Sequence, residues 1–209
     1  MRVVAGPDGS KTFQQAELDR HADAMSRLAE RARKATAVPN ICTLVLRSPA
    51  SAPAHALIAM KASLAEGGIQ ARLILAKLEP ERDLFELFEA LRVLTPEADS
   101  GALIRWVRNP RLWDAHEQVT YGLDMCWSGD PMRRDGDKRN ALALFETAPD
   151  AAFHAAKAFK ALWGASAPVP AHLLDIRGSN KPAGACEQTK ESPVAALRPA
   201  AEVWPLVRH

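Results

Sequence analysis

The stretch Ala102–Glu146, ALIRWVRNPRLWDAHEQVTYGLDMCWSGDPMRRDGDKRNALALFE, decides the fold of this chain. Two of its segments, Ala102–Val107 and His116–Tyr121, alternate apolar with polar residues, which is typical of strands with one buried face. Gly122 interrupts the pattern and Met125–Trp127 resumes it, so we predict a β-hairpin. The next four residues, SGDP, are poorly tolerated in a central strand, and we expect the strand to end at Trp127 before a basic turn and the apolar run 141–145.

The residues before this stretch predict a βαβ unit. A continuous apolar run, Ile41–Leu46, indicates a strand that is buried on both faces. A helical segment, Ala54–Glu66, ends at two glycines, and a second strand is predicted over Ile69–Leu78. Strands joined by such a crossover are usually parallel neighbours.

Helical periodicity predicts further helices from Ser10 or Thr12 to about Lys34, over Glu81–Leu94 and over Asp150–Trp163. We therefore predict a single α/β domain with a mixed β-sheet flanked by helices. Its organisation is an N-terminal strand and helix packed on the core (residues 1–40), the α/β core (41–165) and a Pro/Gly-rich tail, partly disordered (166–209).

Composition excludes several classes of protein. With 47% hydrophobic residues, 25% charged residues and a net charge of +2 among 209 residues, nothing drives the whole chain toward nucleic acid or an anionic membrane. The sequence has no run long enough to span a bilayer and no secretory signal at its start, so we expect a cytoplasmic protein. The three cysteines have no zinc-type spacing, and we expect reduced thiols, no metal and no cofactor.

His116 is the leading candidate for a functional residue. In a strand it shares a face with Gln118, while Glu117 and Val119 point to the opposite face. The return strand brings Ser128, Gly129 and Asp130 close to the start of the His116 strand, which predicts a polar pocket. The cations that would serve this pocket are Arg105, Arg133 and Arg134.

This block resembles one half of the phospholipase D superfamily. The family motif is His-x-Lys, four residues, Asp, six residues and Gly-Ser-x-Asn, and the matching positions here are His116, Gln118, Gly129, Asp130 and Met132. Only the His and the Gly are retained, and the spacing is one residue shorter. The order of elements over Ile41–Trp163 is also similar, including a last helix that ends in Leu-Trp.

The resemblance implies a mechanism and shows what this chain lacks for it. Family enzymes use one His as the nucleophile on a phosphodiester phosphorus, a second His from the other half as the acid, and lysines to neutralise the phosphoryl oxygens. This chain has one half, so a homodimer would have to supply a second His116, and Gln118 and Asp130 stand where a cation and a hydroxyl are expected. The resemblance therefore implies a non-catalytic or weakly catalytic domain that binds a phosphate-containing ligand or a protein partner. The alternative is a diverged phosphodiesterase that acts as a homodimer through His116.

Two other interpretations of the same residues stand. In one, His116 is hydrogen bonded within the hairpin, and Trp106, Trp113 and Trp127 are core packing. In the other, exposed Trp and Arg side chains form a recognition surface for a protein or for single-stranded nucleic acid. The nucleic-acid version is the weaker, because the chain has no clear excess of basic residues.

Overall fold

The computed structural model describes residues 7–34, 40–78, 82–133 and 143–174, with residues 7–13 and 82–83 described by their backbone alone. The helices in these ranges are α1 (Pro7–Lys34), α2 (Ala52–Glu66), α3 (Arg82–Leu94), the single turn α4 (Ser100–Leu103) and α5 (Pro149–Ala165). The strands are β1 (Ile41–Leu46), β2 (Gln70–Leu75), β3 (Ile104–Trp106), β4 (His116–Tyr121), β5 (Met125–Pro131), β6 (Ala143–Thr147) and β7 (Ala167–Pro168). Two 3₁₀ helices cover Pro110–Asp114 and Ala171–Leu173.

The seven strands form one mixed sheet in the order β6-β5-β4-β1-β2-β3-β7. The strands β1, β2 and β3 are parallel, and the other neighbouring pairs are antiparallel. The α/β prediction is confirmed, as is the βαβ unit, in which β1 and β2 pair from Ile41↔Gln70 to Leu46↔Leu75. The strand β7 lies within the predicted tail. Residues 175–209 of that tail are outside the described residues, and so are residues 1–6, where the N-terminal strand was predicted.

The strand β5 differs from the prediction. It continues through Ser128–Pro131, so the expectation that it ends at Trp127 was wrong. The pairing of β5 with β4 shifts by one residue between Gln118↔Ser128 and His116↔Pro131. This β-bulge adds one residue to β5, bends the strand and lets a Gly-Asp-Pro sequence remain in the sheet.

Gly129 is required in β5 by packing. A Cβ atom built on it would lie 2.5 Å from Cη2 of Trp127 and 3.2 Å from Cβ of Glu117. The Trp127 indole, which is fully buried, therefore occupies the space of a side chain at position 129. Trp127 is a core residue, and Trp106 and Trp113 are partly buried against the two main apolar clusters.

The two faces of the sheet are covered differently. The main core lies under α1, α2 and α3 and includes Leu44, Leu73, Tyr121 and Trp127. On the opposite face α5 crosses the strands, and its alanines allow a close approach to Cys126. Cys42 and Cys126 are buried and free, and burial raises the pKa of the Cys42 thiol to about 12, while Cys186 lies outside the described residues. No helix in the described ranges is long and apolar enough to cross a membrane.

The helix α1 is anchored on the sheet by a buried polar pair. His21 has no exposed surface, and its Nδ1 shares a hydrogen bond with the hydroxyl of Tyr121 in β4. Its ring also packs against Trp127, with the ring centroids 4.8 Å apart. Burial lowers the pKa of His21 to about 3, so the imidazole is neutral in the folded protein at pH 7.

We predict that His21 makes the protein sensitive to acid. Between pH 6.5 and 3, His21 is protonated in the unfolded chain but remains neutral in the folded protein. The free energy of unfolding therefore decreases as the pH drops through this window. The contribution approaches about 1.4 kcal/mol per pH unit in the middle of the window. In urea unfolding experiments at a series of pH values, His21→Gln should reduce the slope of the unfolding free energy against pH by the contribution of one proton. His154→Gln, at an exposed histidine of α5, should keep the wild-type slope, and equal slopes for all three proteins would contradict the assignment.

Candidate functional site

His116 is the first residue of β4, an internal strand, and its side chain is exposed; the end of the sheet at which β4 begins is called the His116 edge. Its Nδ1 is 2.7 Å from the carbonyl oxygen of Gly129 in β5. A carbonyl can only accept a hydrogen bond, so Nδ1 donates, and the neutral ring carries its lone pair on Nε2. The bond to Gly129 therefore fixes both the orientation and the tautomer of an exposed imidazole.

Gln118 shares the His116 face of the sheet, as strand alternation predicts, but its amide has a structural partner. Its Nε2 donates to the backbone carbonyl of Ala155 in α5 at 2.9 Å. Ser128 lies directly opposite Gln118 in β5 and is half-buried. Both predicted site residues thus sit next to α5, and the Gln118 amide serves to hold that helix on the sheet.

The predicted turn residues have roles other than those expected. Gly129 is in a strand, and its carbonyl rather than its N–H group faces His116. Asp130 follows it at the bulge, and only 4% of its surface is exposed. The carboxylate expected beside a ligand is therefore held inside the protein.

The three candidate cations are separated by the fold. Arg105 is in β3, three strands from β4, which corresponds to about 14 Å at ~4.8 Å per strand. Its guanidinium donates to the carbonyls of Gly101 and Trp163 and stacks on the Trp163 ring at 4.9 Å. Of the three candidate cations, Arg105 is thus not beside His116, because β1 and β2 lie between their strands.

Arg133 is the cation that the structure brings to the His116 edge. The residues after β5 continue to pair with the segment before β4, and the N–H of Arg133 donates to the carbonyl of Trp113 at 2.9 Å. The Arg133 guanidinium is exposed and forms an ion pair with Asp114 at 2.9 Å. Arg134 lies outside the described residues.

Glu117 is the polar residue whose importance the sequence analysis missed. It is 1% exposed and points to the α1–α3 face, where its carboxylate accepts three hydrogen bonds. The donors are the N–H of Arg47 at 2.9 Å, Nε of Arg47 at 2.6 Å and the hydroxyl of Ser51 at 3.1 Å. Burial raises the pKa of Glu117, and the hydrogen bonds from Arg47 and Ser51 offset part of that rise.

The Glu117 carboxylate occupies the N-terminal end of α2. Ser51 is the N-cap of that helix, and its side chain makes no capping bond; its hydroxyl donates instead to Glu117. A helix N-terminus attracts anions through its dipole, and in parallel sheets this end of the strands commonly holds them. Here the carboxylate beside the start of α2 is that of Glu117, which is bound by the Ser51 hydroxyl. The one signal in the sequence that could have indicated this arrangement is the position of Arg47, a charged residue directly after the buried strand β1.

Comparison with known proteins does not identify a family for this chain. No family model matches it, and no curated protein matches it. One solved structure with similarity is that of TrmBL2, an archaeal chromatin protein that shows a novel mode of DNA binding. The match has 12% sequence identity and a TM-score of 0.45, and it covers 73% of this chain and 52% of TrmBL2, so the chain spans about half the length of that protein.

The site contains no assembled metal centre. Within residues 14–34, 40–78, 84–133 and 143–174, no group of three or more His, Cys, Asp or Glu side chains is arranged to hold a metal ion. The described side chains at the His116 edge include an imidazole from His116, a guanidinium from Arg133 and a carboxylate from Asp114.

We predict that Glu117 and Arg47 are strongly coupled. Glu117→Ala should lower the unfolding free energy by about 3–5 kcal/mol, because it leaves a guanidinium desolvated without its carboxylate. The double variant Arg47→Ala/Glu117→Ala should lose less than the sum of the single losses, with a coupling of about 1–3 kcal/mol in urea unfolding.

The matched control is the exposed pair Glu89–Arg92 in α3, whose atoms are 3.0 Å apart. The same cycle there should give a coupling below about 1 kcal/mol. Equal coupling energies for the two pairs would show that the Glu117–Arg47 pair contributes no more to the unfolding free energy than an exposed ion pair.

Proposed function

We propose that this chain is a phospholipase D-like domain that binds a phosphate-containing ligand at the His116 edge and turns it over weakly or not at all. The observation that carries the proposal is the hydrogen bond from His116 Nδ1 to the Gly129 carbonyl. It holds the ring so that Nε2 is directed away from the Gly129 carbonyl, and only when Nε2 also carries a proton does the imidazolium donate a hydrogen bond to an anion there. The His and the Gly are also the two motif positions that the chain keeps.

Arg133 supplies the positive charge for this site. Its guanidinium has five N–H donors in one plane, so donors remain for phosphate oxygens when Asp114 takes part of the group. The same contact with Asp114 limits the attraction, because an incoming anion competes with a carboxylate that is already in place. Binding in the millimolar to high micromolar range is the expected result.

The role of Gln118 is the reason to propose binding rather than efficient catalysis. The family uses a lysine at this position to neutralise phosphoryl oxygens, and here the amide donates to the Ala155 carbonyl. A neutral group that is engaged with α5 provides no stabilisation for the charge that develops on a phosphoryl group during transfer.

The binding proposal predicts a titration at His116. On addition of inorganic phosphate or a short oligonucleotide, the ring resonances of His116 should shift in a saturable manner in ¹H–¹³C NMR spectra. Arg133→Ala should weaken the apparent affinity by about 3- to 10-fold, since it removes one charge-assisted contact.

Two further residues serve as controls. Arg92→Ala removes an exposed, ion-paired arginine from α3 and should leave the titration unchanged. His154, exposed on α5, reports non-specific anion effects on a histidine in the same spectrum. A His116 resonance that does not move at ~20 mM phosphate, above the weak end of typical ligand affinities, would rule out the site.

The second candidate function is a diverged phosphodiesterase that acts as a homodimer through His116. The observation that favours it is the same tautomer, because a nucleophilic imidazole needs an unprotonated Nε2. The assay is hydrolysis of bis(p-nitrophenyl) phosphate by wild-type protein and by His116→Ala. We expect the two proteins to be equally inactive, and a wild-type activity that His116→Ala abolishes would replace the binding proposal with this second candidate.

A further inference from the structure

The two edges of the sheet are protected to different degrees. At one edge β7 has only two residues, and one of them, Pro168, has no N–H group to offer. At the other edge β6 has five residues, Ala143–Thr147, without proline or lysine. No strand in the described part of the chain pairs with the outer side of β6. Proteins usually block such edges, because unpaired N–H and C=O groups pair readily with another strand.

Apolar side chains are exposed around this edge. Leu144 in β6 is 47% exposed, and Phe153 in α5, which begins two residues after β6 ends, is 65% exposed. These are two of the four large hydrophobic side chains that are exposed in the described residues, and the other two are Val93 and Leu123.

A groove of about 410 Å³ runs between the β6 edge and α1. Its lining from the sheet is Met125, Ala143, Leu144 and Phe145, which makes an apolar floor. Its wall from α1 carries Arg20, Asp23 and Arg27, spaced three and four residues apart and therefore on one side of the helix. None of these three side chains forms an ion pair within the residues that the structure describes.

We propose that this surface is a dimer interface with a second copy of the same chain, formed by antiparallel pairing of β6 with β6 of the partner. A twofold axis perpendicular to the sheet makes the two strands antiparallel and continues the antiparallel order of β4, β5 and β6. The same axis places the two copies of α1 antiparallel on one face of the extended sheet.

The charges on α1 fit this symmetry. Asp23 stands between two arginines on the same side of the helix, and in the proposed antiparallel pair each Asp23 meets Arg20 of the other copy. The pattern is self-complementary. The apolar floor of the groove and the exposed Leu144 then form the desolvated centre of the interface, and the α1 charges form its rim.

The first test is the mass of the protein in solution by sedimentation velocity at increasing concentration. Wild-type protein should form a dimer. Leu144→Lys should raise the dimer dissociation constant about tenfold or more, because it removes a buried leucine and places two like charges near the axis. Val93→Lys is the matched control, since Val93 is 48% exposed on α3, and it should leave the dimer intact.

The second test uses charge exchange. Arg20→Asp and Asp23→Arg should each weaken self-association. An equimolar mixture of the two variants should recover it, because the carboxylate introduced at position 20 of one chain meets the guanidinium introduced at position 23 of the other. Circular dichroism confirms that each variant is folded. A wild-type monomer up to roughly 0.1 mM, or a dimer that Leu144→Lys leaves intact, would overturn the interface, and a mixture that does not re-associate would overturn the antiparallel pairing of α1.

Discussion

The buried carboxylate of Glu117 is the constraint on which the arrangement of the sheet depends. It joins β4 to the end of β1 through Arg47 and to the first turn of α2 through Ser51. Side chains alternate along a strand, so this one inward residue directs Gln118 and His116 to the face of α5. A shift of one residue would place Val119 and Tyr121 against α5 and move Glu117 away from both of its partners. The ion pair therefore specifies register, whatever its net contribution to stability.

The bulge in β5 relates the orientation of the exposed His116 ring to the packing of the core. Trp127 fills the space beside Gly129, and the extra residue in β5 turns the Gly129 carbonyl toward His116. The orientation of the imidazole thus depends on the packing of a fully buried indole. The same indole contacts His21, so α1, β5 and the His116 edge share one set of contacts.

Strands and helices that follow from the local pattern of apolar and polar residues were predicted well. The bounds of β1 and β4 agree with the structure, and the helices differ from the predicted ones mainly at their ends, because strand and helix periodicity are local properties that survive burial. The prediction for β5 failed at Ser128–Pro131, where residues with low strand propensity are kept in the sheet by a bulge, by pairing with β4 and, at Ser128 and Gly129, by pairing with β6. Local propensity is overridden when tertiary contacts contribute more free energy than the propensity costs.

The sequence by itself determined the bounds of β1 and β4, the long helices apart from their ends, the βαβ unit and the assignment of His116 and Gln118 to one face of a strand. It also identified His116 and Gly129 as neighbours across the hairpin. Only the tertiary structure decided that Arg105 and His116 lie on strands separated by β1 and β2, that Gln118 binds the backbone of α5, and that the Glu117 carboxylate binds Arg47 and Ser51 beside the start of α2. These features depend on the order of strands in the sheet and on contacts between residues that are between 37 and 70 positions apart. Periodicity along the chain carries no information about either, because it reports which face a residue occupies and not which element will cover that face.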